Sequence, residues 1–177
     1  ATSSRGTVFP RDGEDLKVGL PLLVHRRCAE PMFGIANDVA YGGLMVKATP
    51  NRPSEIRKIL GRSHWIDVKP GRTEDKWSEA EGQAVLDLLR RLGEAGVEKP
   101  DLYIISPFRI VAQQLRQRIA ASGLLKRWTD KPYDWARDRI GTVHTVQGRE
   151  ADTVILVLGA ALPAQNGARQ WAGGTVN

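Results

Sequence analysis

Between residues 140 and 156 the chain reads Ile140-Gly141-Thr142-Val143-His144-Thr145-Val146-Gln147-Gly148-Arg149-Glu150-Ala151-Asp152-Thr153-Val154-Ile155-Leu156. Apolar, β-branched flanks enclose a polar turn built around a glycine, the pattern of strand, tight loop and strand. The loop gathers the hydroxyl of Thr142, the imidazole of His144, the amide of Gln147, the guanidinium of Arg149 and the carboxylate of Glu150. Groups of these kinds bind polyanions through charged forks, hydroxyls and loop amides. The stretch reads as a ligand-contacting loop.

Two more polar clusters follow apolar runs. Arg26-Arg27 comes directly after residues 20–25, and Ser106-Pro107-Phe108-Arg109 directly after 102–105. In a parallel sheet, ligands bind outside the carboxyl ends of the strands, so the three clusters are expected to share one rim. Most arginines in the chain read more simply as surface salt-bridge partners. Arg27 is set apart by standing just past a buried run.

A self-contained nucleotide hydrolase also needs a phosphate cradle such as Gly-x-x-x-x-Gly-Lys-Ser/Thr and an acidic magnesium ligand after a strand. Neither occurs in the sequence. Cys28 is the only cysteine, which excludes an internal disulfide and a cysteine-cluster metal site. It reads as a small buried side chain, and its closeness to His25 is one of sequence only. His25, His64 and His144 are too scattered for a zinc set, and no protein-bound metal is assigned.

The elements that must position these groups can be read in order. Residues 1–19 show no sustained period and are expected to form an irregular lead-in. Residues 20–25 read as a short buried strand with Pro21 near its start. Over 31–41, Met32, Ile35, Ala36, Val39 and Ala40 recur at helical spacing, with Gly42-Gly43 as the exit. The basic stretch 51–62 is either a solvated surface or a phosphate patch and is assigned no element.

Residues 64–68 alternate as a half-buried strand, closed by Pro70-Gly71. Ser78 opens a helix, with Glu81 at capping-box spacing and an apolar stripe of Ala84, Val85, Leu88, Leu89 and Leu92. Its charges, acidic at the start and Arg90-Arg91 at the end, suit the helix dipole and read as structural. Residues 102–105 form a fully buried strand, Ser106 the following N-cap and Pro107 the first residue of a helix carrying Val111, Leu115 and Ile119. Residues 120–138 show no clean period and read as a long loop. The strand at 140–143 and the run up to Leu156 complete an alternation of strands and helices, which predicts an α/β domain with a mostly parallel sheet and right-handed crossovers.

A chain of 177 residues with 41% hydrophobic content suits one domain with a real core. The net charge of +6 suits a polyanionic partner or a solvated surface, and the five tryptophans suit base stacking or packing. No run approaches the ~20 apolar residues of a membrane helix, and no signal segment opens the chain. A cytoplasmic protein with no membrane partner is expected.

Residues 140–156 resemble motif V of the superfamily 1 helicases, in the branch related to the nonsense-mediated-decay RNA helicase, where Thr-Val-(His/Asp)-x-x-Gln-Gly-x-Glu-x-Asp recurs. Leu23-Val24-His25-Arg26-Arg27-Cys28, with Pro31-Met32-Phe33, Ala36-Asn37 and Tyr41-Gly42-Gly43-Leu44, is similar to motif IV and the helix after it. Ser106-Pro107-Phe108-Arg109 is similar to the family's Thr/Ser-Pro-Tyr/Phe-Arg segment, and the three occur in the family's order. His25-Arg26-Arg27 stands where the branch often has Gln-Tyr-Arg, and Val111 where it often has glutamine.

The resemblance implies a RecA-like three-layer domain of the P-loop NTPase fold, AAA-type, over 20–177. That domain is the second motor domain of an ATP-dependent DNA or RNA helicase or translocase. It implies that ATP and Mg²⁺ are held mainly by a first RecA-like domain outside this chain, and that single-stranded DNA or RNA is the tracked partner. Gly173-Gly174-Thr175-Val176-Asn177 is similar to the approach to motif VI, so the last strand and the motif VI arginine are expected beyond it. By residue, the resemblance implies that Arg27 reaches the γ-phosphate as the catalytic arginine. Glu150, Gln147 and Gly148 serve the nucleotide; Thr142, His144, Ser106 and Arg109 serve the strand. The isolated chain is expected to be inactive in hydrolysis. The alternative is a non-catalytic module that keeps the helicase domain fold and binds nucleic acid or docks protein.

Overall fold

A computed structural model describes residues 2–11, 14–21, 23–50, 53–69 and 72–159, the first two stretches as backbone. The chain divides into two compact units, Ala1–Pro53 and Ser54–Asn177.

In the first unit the backbones of Thr2–Arg11 (β1) and Glu14–Pro21 (β2) pair antiparallel, with Val8 opposite Lys17 and Arg11 opposite Glu14. This replaces the irregular lead-in expected over 1–19. The sequence between the strands is Asp12-Gly13, a two-residue hairpin signal that outweighs the absence of a clean period. The single strand expected over 20–25 is also split. Only Val24–His25 (β3) continues beyond β2, pairing parallel with Val46–Lys47 (β4), and Val24 is exposed. A pair of two-residue strands covers too little area to bury a face.

Met32–Tyr41 (α1) forms where the helical spacing placed it, and Gly42 ends it in the left-handed region at φ 56°. Asn37 ties the helix to the chain entering β4: its Oδ1 accepts from Met45 N at 2.9 Å and its Nδ2 donates to Met45 O at 3.2 Å. Phe33 is the one buried residue of α1, while Met32, Ile35 and Val39 of the predicted stripe are exposed.

The second unit holds the core. Glu55–Leu60 (α2) lies in the basic stretch that was assigned no element, with Ser54 accepting from Arg57 N at 2.9 Å as its N-cap. No strand forms over 64–68, and Trp65 is 79% exposed. Alternation makes a strand only where a neighbouring strand completes the ladder. Thr73–Glu74 (β5) and Trp77–Ser78 (β6) instead form a short antiparallel hairpin. Pro70-Gly71 lie outside the described residues, as do 160–177 with Trp171 and the expected approach to motif VI.

Glu79–Glu94 (α3) starts at Ser78, whose hydroxyl accepts from Glu81 N. It buries Val85, Leu86, Leu89 and Leu92, while Ala84 and Leu88 of the predicted stripe are half-buried. Its first turn reaches outward through Glu79, which pairs with Arg118. On the exposed face of α3, the Asp87 carboxyl is held below its ordinary value, first by a hydrogen bond from Gln83 and then by Arg90.

Leu102–Ser106 (β7) alternates buried and half-buried residues where a fully buried strand was expected. Arg109–Ala121 (α4) begins two residues later than expected, with Phe108 as its N-cap. Ser106 accepts from Phe108 N at 3.3 Å and so shapes the turn before the helix, while Pro107 stays outside it. Leu124–Arg127 forms a 3₁₀ turn and Pro132–Arg139 (α5) a helix, the first inside the region read as loop and the second running one residue past it. Two turns with a single buried residue, Ala136, are too short to show a period. Trp128 and Trp135 stack there at 6.2 Å, and Trp128 Nε1 donates to Val97 O at 2.7 Å. They serve packing, as Trp77 does.

Ile140–Thr142 (β8) and Thr153–Leu156 (β9) flank β7 in the order β8-β7-β9, both parallel to it. The fold of this unit is thus α/β with a parallel sheet, as the alternation predicts. Its core joins Leu89 and Leu92 of α3, Leu102 and Ile104 of β7, Val111, Leu115 and Ile119 of α4, and Ile140 of β8. Each fully buried side chain of this size contributes roughly 1.5–3 kcal/mol over exposure, an upper range. Among the described residues no helix is long and apolar enough to cross a membrane.

Candidate functional site

The parallel register of β7 and β8 pairs Ser106 with Thr142. Two of the clusters singled out in the sequence therefore sit side by side at the carboxyl ends of neighbouring strands, the edge where such sheets bind ligands. Both residues are buried, Ser106 at 0% and Thr142 at 8% exposure. Arg109, the first residue of α4, is exposed beyond Ser106. Lys76 Nζ lies 4.3 Å from the centre of the Phe108 ring and adds a second cation at this edge.

After Thr142 the chain makes consecutive turns. Thr145 N and Val146 N donate to Thr142 O at 3.0 and 3.3 Å, Gln147 N to His144 O at 3.4 Å, and Arg149 N to Val146 O at 3.0 Å. His144, Gln147, Gly148, Arg149 and Glu150 are exposed on these turns. Gly148 adopts φ 84°, a left-handed conformation costing other L-residues about 1–2 kcal/mol. A Cβ there would meet nothing within 4 Å, so the glycine is needed for its backbone angle. Arg149 turns back: its Nη1 donates to Asp138 O at 3.1 Å, at the end of α5.

Three residues that the sequence did not single out hold this loop. Thr145 Oγ1 accepts from Thr142 N at 2.8 Å and donates to Thr142 O at 2.9 Å. Arg116 of α4 donates from Nε to Ile140 O at 2.7 Å. Asp101 draws together the starts of three strands. Its carboxylate accepts from Arg139 Nη1, just before β8, and from Asp152 N, just before β9, each at 3.0 Å, and its carbonyl accepts from Thr153 N at 3.2 Å. The signal for Asp101 was its place directly before a buried strand. Thr145 carried no signal beyond being polar.

Arg27 belongs to the first unit. It is exposed on the turn after β3, where His25 Nε2 accepts from Cys28 N at 2.9 Å and the His25 ring lies 5.3 Å from that of Phe33. His25 thus shapes the turn that carries Arg27. The bond to Cys28 goes through its backbone amide and leaves the thiol outside a nucleophile–base pair. Among the described residues no group of three or more His, Cys, Asp and Glu side chains could hold a metal ion.

In chemical terms the edge offers an imidazole, a primary amide, a carboxylate, two nearby cations and turn amides, on a base of buried hydroxyls. That set can bind and orient a polyanion. It contains no nucleophile with a matched base. No curated protein and no solved structure matches the chain. A family model described as an AAA domain matches residues 21–165, which takes in β3, the parallel sheet and the whole loop after β8. The chain belongs to this AAA domain family, helicase-like P-loop NTPase domains associated with superfamily 1 helicases, and its α/β fold is of the RecA-like kind.

Proposed function

We propose that the chain is the second motor domain of an ATP-dependent superfamily 1 DNA or RNA helicase or translocase, with 20–177 as one RecA-like domain. It works beside another RecA-like domain that supplies the phosphate cradle and the magnesium ligand. One observation carries this reading. An AAA-family domain holds a loop like motif V at the carboxyl edge of its parallel sheet, yet its sequence contains no Gly-x-x-x-x-Gly-Lys-Ser/Thr cradle.

The residues present suit one half of a nucleotide site. Arg27 supplies the charge that meets the γ-phosphate, and Glu150, Gln147 and Gly148 form the nucleotide side of the loop. ATP and Mg²⁺ are held mainly by the other domain. On the strand side, His144 and Arg109 are exposed and suited to direct contact with single-stranded DNA or RNA. Thr142 and Ser106 are buried with their hydroxyls engaged, and serve the strand by shaping the backbone that meets it.

The test is nucleotide hydrolysis, with and without single strands, by the full-length protein or by this chain joined to its P-loop domain. Arg27→Ala is expected to lower stimulated turnover on the order of 10³-fold while nucleotide still binds. Unchanged turnover would remove Arg27 from the site. The missing cradle also suits a non-catalytic nucleic-acid-binding or docking module. A polypeptide with no P-loop lysine anywhere would decide for that reading.

A further inference from the structure

The hydroxyl of Thr145 bridges both backbone groups of one residue, accepting from Thr142 N and donating to Thr142 O. A threonine hydroxyl has one donor and two acceptor sites, so this bridge uses its donor and one acceptor. The backbone adds a return bond, Thr145 N to Thr142 O at 3.0 Å. The Thr142 hydroxyl in turn lies within 3.4 Å of Thr145 N and 3.5 Å of Thr145 Oγ1. The two threonines clasp each other across the turn whose middle residues are Val143 and His144.

The clasp has a built seat. A Cβ on Gly141 would overlap Thr145 Oγ1, so the hydroxyl fills the space that the missing side chain leaves. From behind, Arg116 holds the start of the same strand through Ile140 O, and its Nη2 would lie 3.6 Å from a Gly141 Cβ. β8 ends at Thr142, so nothing in the sheet ladder fixes Val143 and His144. They are held by the clasp on one side and by the Gln147 N bond to His144 O on the other.

We propose that Thr145 is a positioning residue whose hydroxyl, seated against Gly141, holds the 142–145 turn in the shape that presents His144 to a single-stranded nucleic acid. This deepens the function proposed above and rests on it. Thr145 sets strand affinity through the turn, without touching the strand.

The experiment measures strand-stimulated nucleotide hydrolysis by the full-length protein, titrating single strand to half-maximal stimulation. Thr145→Val keeps the shape of the side chain and removes the bonds of its hydroxyl, leaving those of the Thr145 amide. It is expected to raise the half-activating strand concentration by about 3- to 10-fold, the loss of roughly one net hydrogen bond, with a smaller fall in maximal rate. Thr145→Ser keeps the hydroxyl and should restore the concentration to within about twofold. Gly141→Ala displaces the hydroxyl while leaving it present and should match Thr145→Val.

A half-activating concentration unchanged in Thr145→Val would overturn the proposal while leaving the function intact. If Thr145→Val does not fold, Gly141→Ala alone decides: a raised concentration supports the clasp and an unchanged one overturns it. Absence of stimulation in the unsubstituted protein would overturn the function, and the positioning role with it.

Discussion

Two glycines of α3 allow the same substitution to be pushed in opposite directions. Gly82 lies in the second turn and Gly93 in the last, and alanine at either site removes the helical penalty of glycine, about 0.5–1 kcal/mol. At both sites the new Cβ overlaps a neighbour: it would lie 2.7 Å from Trp77 Cζ2 at Gly82 and 2.7 Å from Arg127 Cζ at Gly93. The obstacles differ in what they can do. Trp77 is a rigid indole, 8% exposed and part of the core, so relief requires repacking, which costs about 1–3 kcal/mol. Arg127 is an exposed, flexible side chain that can swing into water. Gly82→Ala should therefore destabilise by about 1–2 kcal/mol net and Gly93→Ala stabilise by up to about 1 kcal/mol. For a chain of this size these are shifts of about 2–8 °C down and up to about 4 °C up. Thermal unfolding followed by circular dichroism, with urea midpoints as a check, reads both. Equal signs for the two variants would refute the reasoning, because the clash distances are alike and only the neighbour's freedom separates them.

Asp101→Ala should release the starts of β8 and β9 together, lowering stability by up to about 1 kcal/mol and speeding hydrogen exchange at the Asp152 amide; unchanged exchange at Asp152 would show that the carboxylate does not hold that strand. Asp87 has a lowered folded pKa, so its contribution to stability is present above its unfolded value and is lost as pH falls through the folded one. NMR titration should show the Asp87 carboxyl moving back up in Gln83→Ala, and an unmoved titration would exclude the Gln83 bond as its main cause.

What the sequence revealed depended on how much of each element's cause was local. Helix α3 was legible because its cap, Ser78 with Glu81 three residues on, and its apolar period lie within the helix itself. Strand β7 was legible as a short apolar run, but its N-cap assignment failed. Ser106 bonds an amide two residues away and closes a turn, a choice between two local bonds that composition does not decide. Residues 64–68 alternate correctly yet form no strand, because a strand's partner is not local. Helices α2 and α5 are so short that only their ends could be read: Ser54 before one, Pro132 opening the other. At the site, the loop after β8 was found through its residue types, and the neighbourhood of Ser106 and Thr142 followed from parallel pairing. Thr145 and Arg116 were missed because their bonds are made to backbone atoms, which carry no residue name, and Asp101 because one of its two carboxylate partners is a backbone amide and the other a guanidinium 38 residues away.

That difference separates two kinds of residue at this edge. Ser106, Thr142 and Thr145 carry hydroxyls, which in a sequence look like ligand contacts, yet their bonds run back into the backbone of the turns that carry them. His144 and Gln147 present side chains to solvent on turns those bonds have already shaped. Losing a shaping group displaces every exposed group on the turn, whereas losing an exposed group removes one contact and leaves the others in place. Shape and contact are therefore separable here, and the distinction is energetic. A hydroxyl bridge to the backbone is worth roughly one net hydrogen bond, enough to populate one turn conformation several-fold over its rivals. An exposed imidazole or amide contributes little until a ligand arrives. The backbone-bonded hydroxyls act before binding and the exposed imidazole and amide during it, which is why a loop so polar in composition needs so few of its residues to touch what it binds.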